Sequence, residues 1–295
     1  MNCARLDSGD EYLATGFTNV DAAGNADAYS ACLSLLDALP YYRECKQRSY
    51  ELLDLRPGCR VLDAGCGLGD DVFRMAERVQ PGGRVVGVDS SKVLLQKAAS
   101  DARKSRLPVE FHHGDLKALP FPDGAFSRCR VDRVLQHVPE PARAVQEMVR
   151  VLEPGGLMLA YDNDWETFSI ASDDRQTASI LEAAWGDSFT NPGIGRQLQD
   201  HFANAGLADI GIHPSTSVIT DFETADRVYN LRETTRRAVA SGALPQDEGR
   251  GWIRRLIEQA AAGCFRVVLT AHTVIGRKPQ SRTWQLLKRD SRNAG

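Results

Sequence analysis

The chain has 295 residues, of which 42% are hydrophobic and 25% are charged. This composition is typical of globular proteins, and the length suits one α/β domain with a smaller appended lobe. Lysine and arginine number 36 against 39 aspartates and glutamates, so the formal net charge is -3. That balance argues against a general polyanion-binding protein, because such proteins need many cations to neutralise phosphates.

The sequence carries no sign of export, membrane insertion or metal binding. The first residues lack the basic segment and apolar core of a signal peptide. Apolar runs are far shorter than the roughly 20 residues of a membrane span. The seven cysteines form no CxxC pair that would suggest zinc or a redox dithiol. We therefore expect a cytoplasmic protein with reduced thiols, no metal site and no membrane partner.

The first part of the chain is predicted to be an irregular arm followed by helices. Residues 1–25 are polar and rich in glycine, asparagine and aspartate. Residues 26–54 have leucines at helical spacing, and Pro40 interrupts the pattern. A helix break is expected at that proline, because its ring cannot continue an interior helical hydrogen bond.

Short apolar runs alternate with helical patterns between Cys59 and Tyr161. Val72, Met75, Ala76 and Val79, for example, follow the i, i+3, i+4, i+7 spacing of one helix face. The predicted strands are residues 60–63, 84–88, 109–112, 125–131 and 157–161. Five strand-then-helix units in series predict a parallel sheet that is covered on both faces.

The remainder of the chain is predicted to complete the sheet and to add a helical insert. The predicted segments are an irregular or helical stretch at 164–192, a helix at 194–205, a strand at 207–212, two helices within 221–262 that break near 242–245, and a last strand at 265–275. From Arg277 to Gly295 there are six basic residues and one acidic residue. This tail is expected to be solvated and mobile.

A glycine-rich loop follows the first predicted strand. Glycines there let the backbone approach a ligand closely, and the start of the next helix supplies free N–H donors. A dinucleotide fingerprint would place a third glycine where Asp70 stands. Asp63, Asp70 and Asp71 would repel a pyrophosphate, so we expect a ligand with positive charge and little or no phosphate. The segment reads Val61-Leu62-Asp63-Ala64-Gly65-Cys66-Gly67-Leu68-Gly69.

This loop resembles motif I of class I S-adenosylmethionine-dependent methyltransferases, in the form hydrophobic-x-D/E-x-G-x-G-x-G. The cofactor of that family has a sulfonium, an ammonium and no phosphate, in agreement with the charge argument. The resemblance covers about residues 40–165. Within the family, this segment is similar to the ubiquinone- and menaquinone-biosynthesis-like small-molecule methyltransferases. Further motifs follow in the family's order at Val85–Asp89, His113–Leu116, Leu119–Ser127 and Leu152–Gly156.

The resemblance implies a fold and a domain organisation. The fold is α/β, a doubly wound, mostly parallel, seven-stranded Rossmann-like sheet. A helical lid comes from the N-terminus and an insert precedes the last strand. The expected parts are an arm and helical lid (1–55), a cofactor-binding core (56–220), a helical insert over the active site (221–262), the last strand (263–278) and a basic flexible tail (279–295).

The resemblance also implies a site for S-adenosylmethionine. Asp89 would take the ribose hydroxyls, Asp115 would accept from the adenine amino group, and Leu116 would pack on the adenine ring. Cys66 would act only through its backbone. The implied cofactor-binding residues are Asp63, Gly65, Cys66, Gly67, Gly69, Asp89, Ser90, Asp115 and Leu116. Arg133 is added as a candidate cofactor-binding residue, although the family often has a small polar residue at its position.

Candidate catalytic residues lie after the fourth and fifth predicted strands. His137 is a candidate general base or a structural histidine at a helix start. Asp162 and Asp164 form a candidate substrate-recognition corner beside Trp165, which could stack on a flat or cationic substrate or pack as part of the lid. Arg133 is interpreted as a ligand of the methionine carboxylate, a ligand of an anionic substrate, or a structural partner of a nearby aspartate. Six further aromatics could line a pocket, namely Tyr12, Tyr29, Tyr41, Tyr42, Tyr229 and Trp252.

The leading functional prediction is methyl transfer to an O, N or C nucleophile of a small metabolite, and a homodimer is left open. The net charge, and the absence of a D/N-P-P-Y/F motif after strand five, count against a nucleic-acid substrate. Three alternatives are an RNA methyltransferase that docks through its basic tail, a non-catalytic module that senses or cyclises its ligand, and a nicotinamide dehydrogenase. Asp70 at the third-glycine position opposes the dehydrogenase.

Overall fold

A computed structural model describes residues 17, 20, 21 and 26–280. The predictions for the arm and for most of the basic tail fall outside these residues. In chain order the elements are α1 (Ala26–Ala38), α2 (Pro40–Leu52), β1 (Arg60–Ala64), α3 (Asp70–Val79), β2 (Arg84–Asp89), α4 (Lys92–Lys104), β3 (Val109–His113), β4 (Phe126–Asp132), a 3-10 turn (Leu135–His137), α5 (Pro141–Val151), β5 (Leu152–Ile170), α6 (Arg175–Gly186), α7 (Ile194–Asn204), β6 (Ala208–Ile219), α8 (Phe222–Tyr229), α9 (Leu231–Ala240), α10 (Gln246–Ala261) and β7 (Val267–Arg277).

The seven strands form one sheet in the order β3-β2-β1-β4-β5-β7-β6. β7 is antiparallel to both of its neighbours, and the other adjacent strands run parallel. The prediction of a doubly wound, mostly parallel, seven-stranded sheet is confirmed. The strand order reverses between β1 and β4, and at such a point the loops after the two strands diverge and open a ligand-binding crevice.

Helices cover both faces of the sheet through buried apolar side chains. Val72, Met75, Ala76 and Val79 of α3 are fully buried in one cluster. Ala144, Val145 and Met148 of α5 are fully buried in another. Pro40 begins α2, where its missing N–H leaves no helical bond unmade, so α1 and α2 are separate helices.

β5 is much longer than predicted. It spans 19 residues and contains both the expected turn at 152–156 and the first part of the stretch predicted to be irregular or helical. That prediction is wrong for residues 164–170, because β7 pairs with β5 as far as Ile170 across a register shift after Asp164. Trp165, Phe168 and Ile170 are buried there. A long-range partner therefore determines this strand, and local spacing does not reveal it.

Two connections also differ from the sequence prediction. β3 passes to β4 through residues 114–125, which contain no helix. The insert at 221–262 contains three helices where two were expected, since α8 and α9 are separated at Asn230. Asn230 adopts a left-handed backbone with φ 46°. Asparagine tolerates this conformation better than most residues, but one asparagine is too weak a signal to predict the break.

The first two cations of the predicted basic tail belong to the folded core. Lys278 donates from Nζ to the carbonyls of Val149 (2.6 Å) and Leu152 (2.7 Å) at the end of α5. Arg277 donates to the carbonyl of Gly155 at 3.0 Å. A cation at a helix C-terminus satisfies carbonyls that have no helical partner. Within the described residues, no helix combines the length and apolar composition needed to cross a bilayer.

Candidate active site

A cavity of about 480 Å³ lies at the carboxyl ends of β1, β2, β4 and β5. One group of lining residues belongs to the loops after β1, β2 and β3: Gly65, Gly67, Asp89, Ser90, Asp115 and Leu116. A second group, here called the aromatic chamber, consists of Tyr42, His137, Trp165, Trp185, Phe189 and Tyr229. α1, α2 and α8 all contribute to the wall, so the N-terminal helices and the insert both cover the cavity.

The glycine loop is closely packed and has left-handed backbone at three positions. Gly65, Gly67 and Gly69 have φ values of 76°, 54° and 81°. A Cβ atom on Gly65 would lie 2.3 Å from a methyl of Val134, and one on Gly69 would lie 2.6 Å from the ring of Phe111. Both the backbone and the space therefore require glycine. Gly65 and Gly67 line the cavity. Their N–H groups are engaged within the protein, that of Gly65 with the carbonyl of Val88 at 2.7 Å and that of Gly67 with Asp89.

Asp89 ends β2 and connects that strand to the glycine loop. Its Oδ2 accepts from the backbone N–H of Gly67 at 2.8 Å, and its Oδ1 accepts from that of Ser91 at 2.9 Å. Burial raises the pKa of Asp89, while these backbone donors oppose the rise. Each carboxylate oxygen can accept a second hydrogen bond. Asp89 can therefore accept from two hydroxyl groups of a ligand.

Asp115 and Leu116 extend the same wall. Oδ1 of Asp115 accepts from the N–H of Lys117 at 2.9 Å, while the carboxylate is largely exposed. Leu116 is buried. Nε2 of His113 lies 3.1 Å from the carbonyl of Ser90 and links the two loops. A hydrogen-bond acceptor beside an apolar side chain suits the edge and face of a heterocyclic base.

Three predicted cofactor residues do not line the cavity: Asp63, Cys66 and Gly69. Asp63 is buried and faces Arg130, with 3.1 Å between Oδ1 and Nη1. The Cys66 thiol packs against Gly87, and burial raises its pKa. These three residues lie on the side of the glycine loop away from the cavity, and their contacts with the cofactor remain predictions.

Asp63 and Asp71, two of the three acids around the glycine loop, are paired with cations inside the protein. Asp71 pairs with Lys46 at 2.5 Å and with Arg130 at 3.4 Å, and it also accepts from the hydroxyl of Tyr50. The sequence argument used Asp63, Asp70 and Asp71 to predict a cationic ligand. Asp63 and Asp71 cannot contribute as argued, because buried cations already face both carboxylates, and Asp70 does not line the cavity. The acids that do line the cavity are Asp89, Asp115 and Asp132.

Arg133 lines the cavity and also forms the ion pair considered from the sequence. Its Nε donates to Oδ1 of Asp132 at 2.7 Å, and its guanidinium lies 5.0 Å from the ring centroid of Tyr42. The backbone at Arg133 is left-handed, with φ 56°. Strained backbone of this kind is often found at ligand sites. Nε is the only atom of this guanidinium bonded to a carboxylate among the described residues, so the Nη donors can serve a ligand.

The aromatic chamber is assembled from distant parts of the sequence. Trp165 stacks on Phe189 with 4.2 Å between centroids and 15° between planes. The ring of His137 lies between Phe17 (5.8 Å) and Phe189 (5.5 Å). Trp185 meets Trp165 edge-on at 5.8 Å. Of the six aromatics singled out in the sequence, only Tyr42 and Tyr229 line the cavity, while Tyr12 is outside the described residues. No sequence signal pointed to Trp185 or Phe189.

Asp162 and Asp164, the two predicted catalytic carboxylates, do not line the cavity. Asn163 and Trp165 line it instead, because successive side chains on a strand point to opposite faces. Asp162 accepts from the backbone N–H groups of Asn163 (3.2 Å) and Gln136 (3.3 Å). Asp164 pairs with Arg196 of α7 at 2.7 Å. Both carboxylates bind neighbouring elements of the protein, and their predicted roles toward a substrate remain predictions.

Comparisons with known proteins identify the class of protein that this fold and site belong to. The family described as a methyltransferase domain matches residues 55–205, about half of the chain. The chain belongs to this family. It is a class I S-adenosylmethionine-dependent methyltransferase, and S-adenosylmethionine is its cofactor. This assignment excludes the dehydrogenase alternative.

Individual relatives are similar over different lengths. An uncharacterised 37.1 kDa protein of transposon TN4556 from Streptomyces fradiae is 39% identical over 80% of this chain and 67% of its own length. A demethylmenaquinone methyltransferase of Listeria welshimeri is 35% identical over 40% of this chain. The match spans only half the length of that relative.

A solved structure has the same fold at low sequence identity. The Haemonchus contortus phosphoethanolamine N-methyltransferase 2, in complex with S-adenosyl-L-methionine, aligns with a TM-score of 0.56 and 16% identity. The alignment covers 90% of this chain and 60% of that one. At this identity, the likeness establishes the shared fold alone.

The residues around the cavity fit the family's cofactor. Gly65 and Gly67 line the space without side chains, so a ligand can approach the backbone closely. Asp89 and Asp115 present acceptors suited to hydroxyl and amino donors, and Leu116 adds an apolar surface. Phosphate would instead need cations or free amides at these positions. A nucleoside with a sulfonium and no phosphate matches this set of groups.

Proposed function

We propose that the protein transfers a methyl group from S-adenosylmethionine to a small, largely apolar metabolite bound in the aromatic chamber. The observation that supports this proposal best is that one cavity joins the glycine loop and Asp89 to a wall of aromatic rings. Rings of this kind contribute large apolar contact areas and favour flat ligands. The name of the Listeria relative, a demethylmenaquinone methyltransferase, agrees with an apolar ring as acceptor.

The cofactor would lie along the loops after β1, β2 and β3. In this proposal Asp89 accepts from the ribose hydroxyls, Asp115 accepts from the adenine amino group, and Leu116 packs on the adenine ring. The amides at Gly65 and Gly67 border the methionine portion. The free Nη donors of Arg133 are suited to its carboxylate, since a guanidinium matches a carboxylate in geometry and charge.

The catalytic contribution of the protein is alignment and exclusion of water. When bound, S-adenosylmethionine supplies a methyl group that its sulfonium has already activated. Holding two reactants in line can contribute on the order of 7–11 kcal/mol to lowering the barrier. α1 covers the cavity with Leu33 and Leu36, α2 with Tyr42 and α8 with Val228. In this proposal these side chains exclude water from the space between donor and acceptor.

The cofactor site is tested by titrating the full chain with S-adenosylhomocysteine in a calorimeter. We expect binding, and we expect Asp89→Asn to raise the dissociation constant more than tenfold, because the amide replaces one acceptor oxygen with a donor. Asp123→Asn alters an exposed acid outside the cavity and should change the constant less than twofold. A wild-type protein without affinity would refute the cofactor site, and an unchanged constant in Asp89→Asn would refute the ribose contact.

The acceptor class is tested with S-adenosylmethionine labelled in its methyl group. The full chain is incubated with phenols, hydroquinones and small amines, and separately with total RNA. We expect label in a small organic product and none in RNA. Label in RNA would favour the RNA methyltransferase alternative. No labelled product from any acceptor, with the cofactor bound, would favour the non-catalytic module.

A further inference from the structure

His137 has one ring nitrogen engaged and one without a partner. Its Nε2 lies 3.1 Å from the side-chain Nε2 of Gln136. Its Nδ1 is buried and has no hydrogen-bond partner among the described residues. Burial lowers the pKa of His137 to about 4, so the ring is neutral near pH 7. A neutral imidazole has one donor and one acceptor nitrogen, and the neighbours of Nε2 decide which is which.

The side-chain amide of Gln136 can have only one orientation. Its Oε1 accepts from the indole Nε1 of Trp165 at 2.8 Å and from Nδ2 of Asn163 at 3.4 Å. Its Nε2 lies 3.3 Å from the carbonyl of Arg133. An indole N–H can only donate and a carbonyl can only accept. A flipped amide would set donor against donor and oxygen against oxygen, so two independent partners determine the assignment.

The same turn is held rigidly by its backbone. The N–H of Asn191 donates to the carbonyl of Gln136 at 3.0 Å. Nδ2 of Asn191 donates to the carbonyls of Leu135 and Val138, each at 2.7 Å. Asp162 accepts from the N–H of Gln136. The 3-10 turn therefore cannot rotate Gln136 away from His137 without breaking several buried hydrogen bonds.

These contacts determine the tautomer of His137. Nε2 of Gln136 is a donor, so Nε2 of His137 must offer its lone pair. The proton of the neutral ring is therefore on Nδ1. In this state His137 has no free lone pair with which to take a proton from a substrate. The interpretation of His137 as a general base does not agree with this arrangement.

We propose that Trp165 and Gln136 are positioning residues that fix His137 as an Nδ1–H donor, and that this donor binds an oxygen of the methyl acceptor. This inference rests on the proposed function, because the aromatic chamber must hold that acceptor. The His137 ring lines the cavity, but Nδ1 itself is covered, so the acceptor oxygen reaches it when a neighbouring ring, Phe17 or Phe189, moves aside. A buried N–H without a partner costs free energy, and an oxygen lone pair of the acceptor would remove that cost.

The proposal narrows the substrate class. The acceptor is a flat, ring-containing molecule whose oxygen enters as a carbonyl or as an already ionised hydroxyl. A neutral hydroxyl would need a base, which His137 in this tautomer cannot provide. The hydroxyl proton is lost to solvent before the acceptor is bound. His137 then stabilises the negative oxygen by a hydrogen bond and takes no proton.

The tautomer is tested by long-range ¹H–¹⁵N NMR of the full chain without any ligand. We expect the Nδ1 resonance of His137 to be pyrrole-like and its Nε2 resonance to be pyridine-like. Gln136→Glu presents only acceptors, so we expect it to move the proton to Nε2. Trp165→Phe removes one of the two partners that orient the amide, while the carbonyl of Arg133 remains, so we expect at most a minor population with the proton on Nε2. Trp185→Phe removes an indole from the same chamber without touching Gln136 and should leave the spectrum unchanged.

A wild-type proton on Nε2 would overturn the proposal, as would a spectrum unaffected by Gln136→Glu in a variant whose thermal unfolding shows that it is folded. These resonances do not depend on methyl transfer. A negative NMR result therefore does not affect the tests of the proposed function. Equally, a negative result in those tests does not affect the assignment of the His137 tautomer.

Oxygen recognition is tested with 4-nitrophenol, whose ionisation is visible by absorbance, and with nitrobenzene as the matched probe without a hydroxyl. Both are titrated against the S-adenosylhomocysteine complex. We expect the phenolate to bind at least tenfold more tightly than the neutral phenol, and His137→Phe to abolish this preference while nitrobenzene binding stays within threefold. Preference for the neutral phenol, or a preference that survives His137→Phe, would overturn the role of His137 as the oxygen's donor.

Discussion

Asp162 shows how the burial of one carboxyl group links its ionisation to stability. Its side chain is 1% exposed and accepts two backbone hydrogen bonds longer than 3 Å. Burial raises its pKa to about 8, against the opposition of those two donors. Between about pH 4 and pH 8 the folded protein therefore retains a proton that the unfolded chain has lost. Stability falls as the pH rises through this window, because the unfolded state binds fewer protons than the native state.

Asp162→Asn should remove this pH dependence. The amide has nearly the same shape, keeps an acceptor for the backbone donors and cannot ionise. The free energy of unfolding of the variant minus that of the wild type should increase between pH 5 and pH 8. The increase should be at most about 1.4 kcal/mol per pH unit. Urea unfolding at several pH values measures it, with Asp123→Asn as the control. A difference between variant and wild type that is constant with pH would contradict the assignment.

Single residues also show what the sequence could and could not predict. Gly65, Gly67 and Asp89 were predictable, because a left-handed loop and a strand-ending acid leave their mark in residue type and spacing. The sequence did not predict that Asp162 and Asp164 point away from the cavity. Their direction depends on how the side chains of β5 alternate, and β5 extends past them only because it pairs with β7. Gln136 was missed for a related reason. The orientation of its side-chain amide is determined by Trp165, 29 positions away, and no local sequence pattern indicates that contact.

At the scale of elements, paired charges connect α1 and α2 to α3, the helix that follows the glycine loop. Asp37 of α1 makes a bidentate ion pair with Arg74 of α3, at 2.5 and 2.6 Å. Lys46 of α2 pairs with Asp71 of α3. Burial alone would raise the pKa of Asp71, but the nearby cations, Arg130 and Lys46, hold it below its ordinary value. Paired charges thus link α1 and α2, which cover the cavity, to the helix that begins at the glycine loop.

Lys46→Met should test this coupling. Loss of Lys46 removes one of the cations that stabilise the buried Asp71 carboxylate. A buried charge left without any partner lowers the free energy of unfolding by about 3–5 kcal/mol. Arg130 and Tyr50 still contact Asp71, so we expect a loss near the lower end, measured by urea unfolding at pH 7. Lys97→Met is the matched control. Lys97 pairs with the exposed Asp27 of α1, and its loss should cost below about 1 kcal/mol. Equal losses in both variants would argue against the coupling.

At the scale of the whole molecule, the two sides of the cavity come from different parts of the chain. In the proposed function the loops after β1, β2 and β3 form the cofactor side. They lie within the part of the chain that matches the methyltransferase family. Much of the aromatic chamber comes from the end of β5, from the segment around α6 and from α8. Part of this wall lies beyond residue 205, where the family match ends. A shared cofactor site can therefore be combined with an acceptor site particular to this chain.

Val228→Trp should separate the two sides. Val228 lies near the end of α8, is 7% exposed and lines the cavity, so an indole there would occupy space meant for the acceptor. We expect the acceptor's KM to rise at least tenfold, and the dissociation constant of S-adenosylhomocysteine to stay within twofold. Overpacking should reduce stability by about 1–3 kcal/mol.

The control for this substitution is Ile257→Trp, on the exposed side of α10 in the same insert. It adds similar bulk outside the cavity and should change neither constant. A parallel loss of S-adenosylhomocysteine affinity in Val228→Trp would mean that α8 contacts the cofactor. An unchanged KM would mean that the acceptor binds elsewhere. Because the two constants respond to different walls of one cavity, their separation would show that the insert governs the choice of acceptor while the glycine loop governs the methyl donor.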